Sequence, residues 1–222
     1  MAQVEKRQLV TTGSVAVAEV KRGIFVVFEG IDGSGKSTAA KGVFDLLSQE
    51  MPGRVVLTAE PTDTWIGDAV RRANREEVDN AAEALLFVAD RAEHTERIRG
   101  WLAEGKVVLC DRYYLSTVAY QGAALRRAMG ARRAIEWLKA MNDPIIVHPD
   151  LTLLFTLGVQ KAMERLEARP GRTKFEQLEY LLDVDLIYRS SIMDDPSAHT
   201  IDASKPIEEV VGAALRVIRD KL

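Results

Sequence analysis

The chain has 222 residues, 47% apolar and 28% charged, which suits one α/β domain with a full core and leaves two independent domains cramped. Its 30 basic and 33 acidic residues give a net charge of -3, so the chain-wide basic field of a polynucleotide-binding protein is absent. No uncharged apolar run reaches the length of a membrane-spanning helix, and the single cysteine, Cys110, excludes an intramolecular disulfide.

Residues 1–22 mix charges with a short apolar stretch at 14–18 and carry no motif. They lack the unbroken apolar core of a secretory signal, and Glu5 and Glu19 argue against a mitochondrial transit peptide. They are expected to form an N-terminal extension without chemistry, ahead of a domain covering 23–222 in a cytoplasmic protein.

Ile24 to Phe28 is a continuous apolar run between glycines, the pattern of a strand buried on both faces. Lys36 to Gln49 shows helical spacing at Val43, Leu46 and Leu47 and stops at Pro52-Gly53. Val55 to Leu57 reads as a second strand. Asn80 to Glu104 reads as a long helix, with Asn80 as N-cap and Gly105 as its stop. Its Leu85, Leu86, Val88, Ile98 and Trp101 suit a core or an interface, and the sequence does not divide the two roles. Val107 to Cys110 is a third strand, with Cys110 a buried thiol. Leu151 to Leu157 is a fourth strand, and His199 to Ile201 a short fifth. Strands alternating with helices predict a three-layer α/β fold, a five-stranded parallel sheet with helices on both faces. Ligands then bind at the carboxyl ends of the strands.

A phosphate-binding motif falls at one such end. Gly30-Ile31-Asp32-Gly33-Ser34-Gly35-Lys36-Ser37, followed by Thr38, matches G-x-x-x-x-G-K-[ST] in full. Its glycines let the backbone turn several N–H groups toward one phosphate. Lys36 would reach the β- and γ-phosphates of ATP, and the Ser37 hydroxyl would hold Mg²⁺. The helix that follows presents its positive end to the same anion. Asp111-Arg112-Tyr113 lies just past the third strand, where Asp111 can hold the metal or its water and Arg112 can clamp phosphate oxygens. Read alone, that tripeptide is also consistent with a structural ion pair.

Phe87 and Arg91 are four apart and share a helix face, which suits a nucleobase stacked on a ring beside a guanidinium. A core phenylalanine and a surface ion pair are the alternatives. Thr117 and Gln121 form a second four-residue pair whose hydroxyl and carboxamide can complement a pyrimidine edge, with helix-surface residues as the alternative.

Six ordered segments together resemble the thymidylate kinase family: 28–38, Glu60-Pro61-Thr62, 85–91, Asp111-Arg112-Tyr113, 116–122 and Ile201-Asp202-Ala203. The resemblance runs from about Gly23 to the C-terminus. It implies a P-loop kinase fold with a short helical lid at about 159–177, ATP and dTMP as substrates, Mg²⁺, and a homodimer, with no nucleic-acid or membrane partner. It also implies that Phe87 stacks on thymine, Arg91 binds its O4, and Tyr120 crowds the sugar against a ribose 2′-OH. Ser116, Thr117 and Gln121 fall in the same acceptor segment. Asp32 would lie near the dTMP 3′-OH and phosphates, a solvated loop acid being the alternative. Glu60-Pro61 would shape the loop facing the acceptor phosphate, and Arg71 would bind that phosphate.

The match departs from the family's bacterial form around Glu60-Pro61, where Ala59 and Thr62-Asp63 replace an arginine and a glycine pair. Phosphoryl transfer also calls for a positive charge on the moving group, and an arginine finger contributes about 10³–10⁵ in rate. The phosphate loop holds no arginine, so the lid segment with Arg165, Arg169, Arg172 and Lys174 is expected to supply it. Lys174 stands where the family usually has arginine. A kinase of the same architecture acting on another pyrimidine nucleotide or a deoxynucleoside is the alternative reading.

Overall fold

In the computed structural model, residues 22–76, 78–167 and 178–222 are described. Strands β1 (Ile24–Glu29), β2 (Val55–Ala59), β3 (Val107–Asp111), β4 (Leu151–Thr156) and β5 (Ala198–Asp202) form one parallel sheet in the order β2-β3-β1-β4-β5. The described helices are α1 (Lys36–Glu50), α2 (Trp65–Arg75), α3 (Asn80–Ala103), α4 (Tyr114–Met129), α5 (Ala131–Asn142), α6 (Val159–Glu167), α7 (Leu178–Ile192) and α8 (Ile207–Arg219).

Central strand β1 explains the layering. Successive side chains on a strand point to opposite faces. Phe25 and Val27 pack with Ile98 and Leu102 of α3, while Val26 and Phe28 join the larger cluster that includes Ala39, Val43 and Leu47 of α1. An unbroken apolar strand is thereby covered by helices on both sides. The register sets Phe28 beside Asp111 and Ala59 beside Asp111 as well. The loops leaving β1, β2 and β3 therefore begin side by side at the carboxyl end of the sheet.

Several boundaries differ from the sequence reading. The N-cap of α3 is Asp79, whose carboxylate accepts from Ala81 N at 2.9 Å, and Asn80 is the first helical residue. The cap must sit two or three residues ahead of the free N–H groups it satisfies, and Asp79 does. β4 stops at Thr156, and β2 and β3 run on to Ala59 and Asp111. Tertiary packing also divides the apolar residues of α3: Val88 and Ile98 are buried, Leu86 and Trp101 half-buried, and Leu85 is 51% exposed. Of the expected lid, α6 is described, whereas Arg169, Arg172 and Lys174 lie outside the described residues, as does most of the N-terminal extension. No described helix is long and apolar enough to cross a membrane.

Candidate active site

The phosphate loop joins β1 to α1. Gly30 and Gly33 adopt φ values of 146° and 80°, which side-chain-bearing residues rarely tolerate. A Cβ at Gly33 would fall 2.4 Å from the Ala162 carbonyl oxygen on α6, so glycine also lets the loop meet the neighbouring helix. Lys36, in the first turn of α1, is nearly buried. Burial and the nearby positive charge of Arg112 lower its pKa to about 8, against the pull of Asp32, Asp111 and Glu29.

Ser37 and Asp111 line a cavity of about 620 Å³ together with Pro61, Thr62 and Arg71. Asp111 Oδ1 is buried with no hydrogen-bond partner among the described residues. A buried carboxylate oxygen in that condition calls for a ligand. A hydroxyl and a carboxylate facing one space are hard oxygen donors, and they fit a Mg²⁺ ion that keeps most of its shell for phosphate and water.

Arg112 occupies the left-handed region at φ 71°, uncommon for a residue with a side chain. Its backbone is pinned on both sides: Arg112 N donates to Phe28 O at 2.9 Å, and the Cys110 thiol donates to Arg112 O at 3.0 Å. The guanidinium pairs with Asp32, donates to Ser116 Oγ at 3.1 Å and lies over the Tyr120 ring, 5.0 Å from its centroid. Asp32 N in turn donates to the Tyr120 hydroxyl at 2.8 Å. Burial opposes ionisation of Asp32, but Arg112 and Lys36 outweigh it and hold the carboxyl below its ordinary range.

A second cavity, about 110 Å³, is lined by Pro61, Asn74, Phe87, Arg112, Ser116, Tyr120 and Gln121. Six of these seven are residues the sequence assigned to the acceptor nucleotide. Three other assigned residues stand behind its wall. Arg91 is buried, with Nε and Nη2 on Glu60 Oε2, Nη1 on Asn142 Oδ1 at 2.7 Å and Nη2 also on Thr117 Oγ1 at 2.9 Å. Glu60 additionally faces His94 Nδ1 at 2.9 Å. Glu60, Arg91 and Thr117 thus bond to one another, so that Arg91, expected beside Phe87 at the base, is engaged by Glu60, Asn142 and Thr117 in this structure. Their network fixes the loop after β2 against α3, helped by Asp90, which accepts from Thr62 N at 2.8 Å.

A third cavity, about 240 Å³, lies on the other side of the phosphate loop, lined by Gly33, Ser34, Gly35, Thr38, Arg165, Ala203 and Lys205. Arg165 bridges it, donating to Gly33 O at 3.3 Å and Ala203 O at 3.2 Å.

Sequence reasoning missed Asn74 and Glu29. Glu29 ends β1 and is fully buried, accepting from Tyr113 N at 3.0 Å, Ser116 N at 3.2 Å, Ser116 Oγ at 2.6 Å and Tyr188 OH at 3.0 Å. Burial raises its pKa despite those donors. Its signal was a carboxylate closing an otherwise apolar strand. Asn74 had no such signal, because a helical asparagine among charged neighbours reads as solvated.

The family model for thymidylate kinase matches residues 28–213. A probable thymidylate kinase of Methanospirillum hungatei is 41% identical over 198 residues, covering 88% of this chain and 94% of that protein. One from Methanosarcina mazei is 42% identical over 196 residues, covering 85% and 92%. Among solved structures, thymidylate kinase from Candida albicans has a TM-score of 0.74 at 25% identity, covering 90% of this chain and 92% of that one. The Ehrlichia chaffeensis thymidylate kinase has a TM-score of 0.72 at 28% identity, covering 89% and 99%. The match begins inside β1, ends inside α8 and takes in every loop that builds the three cavities, and on that ground the chain belongs to the thymidylate kinase family of ATP-dependent nucleoside monophosphate kinases.

Proposed function

We propose that the protein transfers the γ-phosphoryl group of ATP to dTMP, giving ADP and dTDP. The observation that carries this reading is the pair of adjoining cavities sharing Pro61, one with Phe87, Tyr120 and Gln121 for a base and sugar, the other with Arg71, Ser37 and Asp111 for phosphates and metal. The phosphate-loop amides and Lys36 hold the β- and γ-phosphates, and Arg71 and Arg112 hold the dTMP phosphate in line. An oxygen of that phosphate attacks the γ-phosphorus, the bond to the β,γ-bridging oxygen breaks, and ADP leaves with the electron pair. Ser37 and Asp111 would hold Mg²⁺, which when bound neutralises charge on the phosphate oxygens.

Phe87 offers a ring face to thymine, and Tyr120, held by Arg112 and Asp32, is rigid enough to exclude a 2′-OH. Arg165 acts on the donor side of the phosphate loop. With Arg169, Arg172 and Lys174 it forms the set from which the transferring group draws added positive charge. Turnover of the four alanine variants measures that contribution, and unchanged rates in all four remove it. The remaining parts of the reading are a cytoplasmic homodimer, one catalytic domain at 23–222 and an extension at 1–22 outside the chemistry.

An ADP-release assay across dTMP, dUMP, UMP, CMP and thymidine tests the assignment. The expected order places dTMP first, with dUMP lower by roughly tenfold to a hundredfold, the worth of one methyl group in an apolar pocket. Equal or better activity on thymidine overturns it.

A further inference from the structure

Asn74 follows Arg71 by three residues on α2, so both lie on one side of the helix. Arg71 lines the cavity that holds Ser37 and Asp111, and Asn74 lines the cavity of Phe87 and Gln121. One helix thus addresses both cavities. Asn74 Oδ1 is enclosed and has no hydrogen-bond partner among the described residues. A buried carbonyl oxygen without a donor is costly, and folds seldom keep one unless a ligand satisfies it.

Three of the other polar groups facing this cavity are already engaged. Arg112 is held by Asp32 and Ser116, Ser116 donates to Glu29, and the Tyr120 hydroxyl accepts from Asp32 N. Two carboxamides remain, Gln121 and Asn74, and of their oxygens that of Asn74 is the one both buried and unpaired among the described residues. A pyrimidine stacked on Phe87 carries a ring N–H at N3 when it is an imide, as in thymine or uracil, and none there when it is cytosine. We infer that Asn74 is a specificity-determining residue whose carboxamide oxygen accepts the N3–H of an imide base in the acceptor nucleotide. The inference rests on the dTMP reading and deepens it.

The test is a cycle between one side chain and one ligand atom. Wild type and Asn74→Leu are each assayed with dTMP and with 3-methyl-dTMP, which lacks the donor. Asn74→Leu is expected to raise KM for dTMP about tenfold, the worth of one hydrogen bond, with kcat and KM for ATP held within about twofold. Its Tm should stay level or rise, because an enclosed unpaired oxygen is gone; a merely structural asparagine would lower it. The kcat/KM penalty for 3-methyl-dTMP should be about tenfold smaller in the variant than in wild type. An unchanged KM for dTMP, or equal 3-methyl penalties in both proteins, overturns the inference. A wild-type preference for UMP sinks the dTMP reading alone, since the same cycle runs with UMP and 3-methyl-UMP. A preference for CMP overturns both.

Discussion

Lys36 carries its charge in a place that disfavours charge. Burial and Arg112 bring its pKa to about 8, so the ammonium persists at neutral pH and is lost as pH rises through that value. Bound phosphates favour the charged form and raise the pKa in the complex. The expected result is a kcat/KM for ATP that falls about tenfold per pH unit above about 8, with the matching limb of kcat displaced to higher pH. Coincident limbs, or no limb below pH 9.5, would count against it. Unfolding through this group does not imitate the effect. Between about 8 and the ordinary lysine value of 10.5 the unfolded chain binds the extra proton, so this lysine's contribution to stability rises with pH across that window. At the same scale, Phe87 and Arg91 show how far spacing reaches. Four-residue spacing put both on one face of α3, yet Phe87 meets the cavity while Arg91 turns to Glu60 and Asn142. The acceptor that captures a buried arginine comes from a distant part of the chain, and a periodicity carries no information about it.

Helix α4 shows the same dependence among elements. Its N-cap, Tyr113, offers no side-chain cap, and Glu29 from the end of β1 accepts from Tyr113 N and Ser116 N instead. The helix that carries Ser116, Tyr120 and Gln121 is thereby anchored to the strand that carries the phosphate loop. Glu29→Ala leaves two backbone donors and two hydroxyls without their buried acceptor, and a loss of about 2–4 kcal/mol is expected. For a chain of this size that corresponds to a fall in Tm of roughly 5–15 °C, read by calorimetry. Because Ser116 and Arg112 share this anchor, kcat/KM for dTMP should fall further than KM for ATP changes; a Tm within about 2 °C of wild type rejects the cap. The strands themselves were legible as apolar runs, and so were α1 and α3, because two-sided burial and helical periodicity are local patterns. The Asp79 cap and the Glu29 cap were not legible to the same degree, since the first turns on one residue of backbone register and the second on a contact across 84 positions.

At the scale of the molecule, α2 and α3 leave large apolar side chains in the open: Trp65 is 79% exposed and Leu85 51%. If the proposed homodimer forms through these helices, Leu85→Glu should shift the sedimentation coefficient toward that of a monomer at micromolar protein. An unchanged coefficient would move the interface elsewhere. The sequence by itself determined the phosphate loop, the parallel α/β order and the Asp111-Arg112 pair, because each rests on contiguous motifs or short-range spacing, whereas most of the expected acceptor residues came from the resemblance to the family. Only the tertiary structure decided which of those residues meet a ligand-sized space. Strand order β2-β3-β1-β4-β5 sets three loops side by side, so Phe87, Tyr120 and Gln121 line a cavity while Glu60, Arg91 and Thr117 brace it from behind. The same packing enclosed the unpaired oxygen of Asn74, a residue no motif singled out. Burial and hydrogen-bond satisfaction depend on partners brought together from far along the chain, and that is information a local pattern does not hold.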